Sequence, residues 1–86
     1  MSQTKELPSY SDYKAMVELN VQKGKLDLEQ GVMLVTIYRN HLNNKATNVR
    51  SLMEVANLNW KMTNAKLNGL VMRNACKKID KYWYSL

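Results

Sequence analysis

The stretch Thr47-Asn48-Val49-Arg50-Ser51-Leu52-Met53-Glu54-Val55-Ala56-Asn57-Leu58-Asn59-Trp60, continued to Leu70, decides the fold. Thr47 or Asn48 can cap a short helix in which Val49, Leu52, Met53 and Ala56 recur at i, i+3, i+4 and i+7, the period of one buried helix face. Asn57-Leu58-Asn59 breaks that pattern, because asparagine tolerates left-handed backbone angles, and Leu58 between two asparagines can tuck inward. A further helix then starts near Trp60. Two short helices joined by a three- or four-residue turn are a helix-turn-helix unit.

Working outward from this unit, the preceding residues read as two more helices. Ser9 caps the first, with Asp12 near its positive end, and Tyr13, Met16, Val17 and Val21 follow at helical spacing up to Gly24. Asp27 and Gln30 form a capping box for the second, which carries Leu28, Val32, Val35, Tyr38 and Leu42 on one stripe widened by Met33, Leu34 and Ile37. That helix is expected to be the core of the molecule, ending at the turn Asn43-Asn44-Lys45. The helix from Trp60 is harder to end. Its apolar residues lie on two opposite sides, Met62, Ala65, Gly69, Met72 and Cys76 against Trp60, Leu67 and Val71. Either its later part is buried on both sides and it runs to about Asn74, or it stops at Gly69 and Leu70 to Arg73 form a strand. The aromatic Tyr82-Trp83-Tyr84 run, behind Lys77, Lys78, Asp80 and Lys81, reads as the second arm of a small basic hairpin.

Charge is distributed unevenly. Residues 1–43 hold five Lys/Arg and five Asp/Glu, whereas residues 44–86 hold eight basic residues against Glu54 and Asp80, so the whole net charge of +6 lies in the second half. A face of that kind suits a polyanion, or equally an acidic protein. The longest apolar run, 32–38 with Thr36 inside it, falls far short of the roughly 20 residues that cross a bilayer. With one cysteine, Cys76, and no secretory segment, the expectation is a cytoplasmic protein without membrane association, comprising a loose tail at 1–8 and one domain at 9–86.

From Gly31 onward the chain resembles a winged helix-turn-helix domain. The segment Leu52 to Leu70, with Trp60, Asn64, Gly69 and Leu70, is similar to the small helix-turn-helix modules that precede some bacterial HNH nucleases, without the nuclease half. One departure is the turn, which lacks the glycine common in such motifs, so Asn57 or Asn59 has to replace it. The fold class expected is therefore mainly α, a four-helix winged helix-turn-helix with a short C-terminal β-hairpin.

On the fourth helix Lys61, Asn64 and Asn68 fall at i, i+3 and i+7 and are the expected base-reading stripe, since Asn can bond adenine N6 and N7 while Lys can reach guanine O6 and N7. Thr47, Asn48 and Arg50 at the start of the third helix, Thr63 and Lys66 on the fourth, and Lys77, Lys78 and Lys81 on the hairpin are the expected phosphate contacts. Trp83 with its tyrosine neighbours either stacks on bases or closes the core or a dimer interface. Lone His41 has no partner at metal-ligand spacing, and no catalytic set or phosphate-cradling glycine loop can be identified, so no enzyme activity, metal or cofactor is expected. These features lead to a small bacterial or phage transcriptional regulator that binds double-stranded DNA as a homodimer. The alternative is a small phage or mobile-element module that docks on an acidic host protein.

Overall fold

The computed structural model describes residues 7–86, so most of the tail expected at 1–8 lies outside the described residues. Among the described residues the chain forms α1 (Tyr10–Gln22), α2 (Leu28–Leu42), α3 (Val49–Ala56), α4 (Trp60–Met72), β1 (Cys76–Ile79) and β2 (Tyr82–Ser85). This is the mainly helical class with a C-terminal antiparallel hairpin that the sequence implied. Each helix begins at a side-chain cap: Ser9, Asp27, Asn48 and Asn59 accept from the amides of Asp12, Gln30, Ser51 and Met62. The Asp27–Gln30 pair closes a full capping box.

The helix ends share one device. The amides of Lys25, Lys45, Leu58 and Ala75 each bond the carbonyl five residues earlier, and Gly24, Asn44, Asn57 and Asn74 just before them have positive φ. These are Schellman closures, in which a left-handed residue turns the chain and satisfies an otherwise orphaned carbonyl. Asn57, at φ 55° and ψ 48°, does in the α3–α4 turn what glycine does elsewhere. The fourth helix therefore ends at Met72, and residues 70–73 are not a strand. Cys76, expected on that helix, instead opens β1, where it is buried and its thiol is pushed up to about 11 by desolvation.

Strand β2 is paired on both sides of Trp83. Lys78 lies opposite it in the hairpin, and the Trp83 amide donates to the carbonyl of Thr47 at 2.8 Å across an antiparallel bridge. The link between α2 and α3 is thus stitched to the hairpin, and Asn40 Nδ2 donates to Thr47 Oγ1 at 2.9 Å to fix it further. The core gathers Met33, Leu34, Ile37, Leu52, Leu67, Leu70, Cys76 and Trp83 with Val17 of α1, so every element contributes. Beside it the rings of Tyr13 and Tyr38 stack with centroids 3.8 Å apart. Burial, with smaller contributions from Cys76 and Tyr38, pushes the Tyr13 phenol up to about 12, and Tyr38 Oη donates to the Pro8 carbonyl.

Two faces differ from the sequence expectation. The buried side of α2 is Met33, Leu34, Ile37 and Tyr38, whereas Leu28 is 67% exposed and Val32 and Val35 are only half-buried. On α4 the buried side is Thr63, Leu67 and Leu70, while Trp60, Met62 and Met72 face solvent. Both helices carry apolar residues around most of their circumference, so periodicity alone could not select the side that the other elements cover.

Candidate nucleic-acid interface

With Thr63, Leu67 and Leu70 packed inward at i, i+4 and i+7, the 3.6-residue period puts Lys61, Ala65, Asn68 and Met72 on the opposite, outward side of α4. All four are exposed. Lys61 and Asn68 thus stand where the sequence placed them. Ala65 lies between them, although the sequence reading set it on an apolar side with Met62 and Gly69. Its methyl leaves the helix surface low at mid-stripe, so another surface can approach the backbone closely there.

Asn64, the third member of the expected stripe, lies on its flank. The side chain is half-buried, and its Nδ2 donates to the Trp60 carbonyl at 2.9 Å, which turns the carboxamide onto its own helix. Its role in the stripe is therefore corrected to that of an edge residue. Three expected phosphate contacts are corrected outright. Thr63 is fully buried and its hydroxyl has no hydrogen-bond partner, so it faces the core and no external anion. Thr47 is buried at the β2 bridge, with its hydroxyl taken by Asn40. Lys66 is held by two carboxylates, Asp27 at 2.6 Å and Glu29 at 3.8 Å, and this removes it from the pool of free cations.

Asn48 is exposed, but its Oδ1 is committed to the Ser51 amide at 2.9 Å as the cap of α3. Arg50 is exposed in the first turn of that helix. On the hairpin Lys77, Lys78 and Lys81 are all exposed, and register sets Lys77 beside Tyr84 and Lys78 beside Trp83. The Lys78 Nζ sits 5.1 Å from the centroid of the Trp83 ring, a cation–π contact that orders the side chain without neutralising it. Trp83 itself is buried, so it closes the core and offers no face for stacking on a base.

Among the described residues the ion pairs are those of Lys66 alone, so Arg50, Lys61, Lys77, Lys78 and Lys81 carry charge that no carboxylate offsets. No cluster of three or more His, Cys, Asp or Glu side chains able to hold a metal is found among them, and no helix is long and apolar enough to cross a membrane. Comparison with family models, with curated proteins and with solved structures returns no match to this chain.

Proposed function

We propose that the chain is a small helix-turn-helix protein of the winged type that binds double-stranded DNA, with α4 as the reading helix and the β1–β2 hairpin as the wing. The supporting observation is the outward stripe of α4, in which exposed Lys61 and Asn68 bracket the small Ala65 on the side away from the core. A helix of this kind fits the major groove. Asn68 offers a bidentate bond to adenine, Lys61 a bond to guanine or phosphate, and the Ala65 methyl an apolar contact with a thymine methyl. Arg50 from α3 and Lys77, Lys78 and Lys81 from the hairpin act as the backbone anchors. Occupancy of a site, as in a bacterial or phage transcriptional regulator, is the mode of action.

The test is a fluorescence-anisotropy titration of a labelled random-sequence duplex at several salt concentrations. Four anchoring cations predict a slope of log K against log salt of about −4 for one protein molecule, at roughly −0.9 per phosphate neutralised. A slope near zero, or no binding at low salt, would contradict the reading.

A further inference from the structure

One strip of α2, made by Leu28, Val32 and Val35, is apolar yet exposed or only half-buried. Leu28, Val32 and Val35 line the floor of an open groove of about 610 Å³, with Val17 and Val21 of α1 along one wall and Val55 of α3 along the other. The floor is set low by Gly31, where a Cβ would meet Val21 Cγ2 at 2.9 Å and Val17 Cγ1 at 3.3 Å, so α1 and α2 approach as closely as a missing side chain allows. The two helices run antiparallel, and the groove extends from the level of Val21 and Leu28 to that of Tyr10 and Arg39. At 1.5 Å per residue this is about 17 Å, or roughly three helical turns.

Charge marks one end. Lys14 and Arg39 both line the groove towards the start of α1 and the end of α2, and neither has a carboxylate partner among the described residues. Of the residues that line the groove at the Leu28 end, Gln22 is polar and none is cationic, and Glu18 sits midway along the α1 wall.

We propose that this groove seats an amphipathic helix of a partner protein, about three turns long, whose apolar stripe covers Val32 and Val35 and whose carboxylates pair with Lys14 and Arg39. Length, apolar floor and one-ended positive charge each match such a helix. The interaction goes beyond DNA binding and does not depend on it, because none of the groove residues belongs to the α4 stripe or the hairpin.

The probe is a displayed library of 14-residue helical peptides with one face randomised, selected against the full chain. Enriched peptides are expected to carry large apolar residues at i, i+3, i+4 and i+7 and Asp or Glu beyond one end of that stripe. Val35→Asp should weaken them at least tenfold, with circular dichroism confirming that the variant is folded. Arg39→Glu, on an exposed side chain, should weaken them several-fold, and exchanging the peptide carboxylate for Lys should restore binding to that variant alone. Absence of enrichment, peptides indifferent to both substitutions, or a charge exchange without rescue would overturn the proposal. A self-association of the chain that Val35→Asp abolishes in sedimentation would also overturn it, by giving the groove to a second copy.

Discussion

Lys66 Nζ donates to Asp27 Oδ2 at 2.6 Å, tying the middle of α4 to the cap of α2 across 39 residues of chain. Beside it Gln30 uses both ends of its amide, accepting from the Asp27 backbone and donating to the Lys66 carbonyl. The pose of α4 is therefore fixed by the same side chains that start α2. A lysine that sequence spacing assigned to phosphate binding instead holds α4 in place.

This clasp gives a pH dependence. Burial alone would raise the Asp27 carboxyl, but the hydrogen bond from Lys66, the backbone bonds from Gln30 and Glu29, and the nearby ammonium charge hold it below its ordinary 3.8. A group whose folded value is depressed contributes stability above its unfolded value and loses it as pH falls through the folded one. Urea unfolding should show the wild type losing more stability than Asp27→Asn as the pH drops below about 4, by up to about 1 kcal/mol for a partly exposed pair. At neutral pH, Lys66→Ala should lower stability by a similar amount and leave the salt slope of DNA binding unchanged. A shallower slope would return Lys66 to the phosphate contacts.

The α3–α4 turn makes a second prediction. Asn57 occupies a left-handed conformation that costs an ordinary L-residue about 1–2 kcal/mol and glycine almost nothing. Asn57→Gly should keep or slightly raise the melting temperature, whereas Asn57→Val should lower it by about 4–8 °C for each kcal/mol lost. Equal effects of the two changes would mean that the turn does not need this backbone.

Glycines 31 and 69 predict opposite signs for one substitution. Gly31→Ala gains about 1 kcal/mol of helix propensity. It also drives a methyl against the stiff, branched Val21 side chain at 2.9 Å, where overpacking costs about 1–3 kcal/mol, so a net loss near 1 kcal/mol is expected in urea unfolding. Gly69→Ala meets only the end of the flexible Gln30 side chain at 3.4 Å and should stabilise by about 0.5 kcal/mol.

Thr63 separates the sequence reading from the structural one. Its hydroxyl is buried and unpartnered, so Thr63→Val keeps the shape while removing a group whose desolvation costs about 1–3 kcal/mol. The variant should be more stable and bind duplex DNA as the wild type does. Weaker DNA binding at unchanged stability would mean that the hydroxyl reaches a phosphate after all.

Element starts, and every stop except the end of α4, were legible in the sequence because they depend on local chemistry. As caps, Ser9, Asp27 and Asn48 act on amides three residues on, and Gly24, Asn44 and Asn57 turn the chain where they stand. The hairpin was legible for the same reason. The faces were not. Which side of α2 or α4 is covered depends on where β2 and α3 lie, and valines or methionines on several sides leave the period ambiguous. Thr47 and Thr63 were assigned to phosphate because hydroxyls serve there, yet the first is enclosed by the Trp83 bridge and the second by the core. Ala65 was read as part of an apolar side because a methyl announces no other chemistry, yet it shares the outward stripe with Lys61 and Asn68.

Base reading by the outward side of α4 is tested by selecting bound duplexes from a random pool, in parallel with the wild type and Asn68→Ala. The wild type should yield an enriched motif and the variant the same motif with one A·T position relaxed, since a bidentate contact is worth about 1–3 kcal/mol of discrimination. No enriched motif, or the same motif from both proteins, would contradict it.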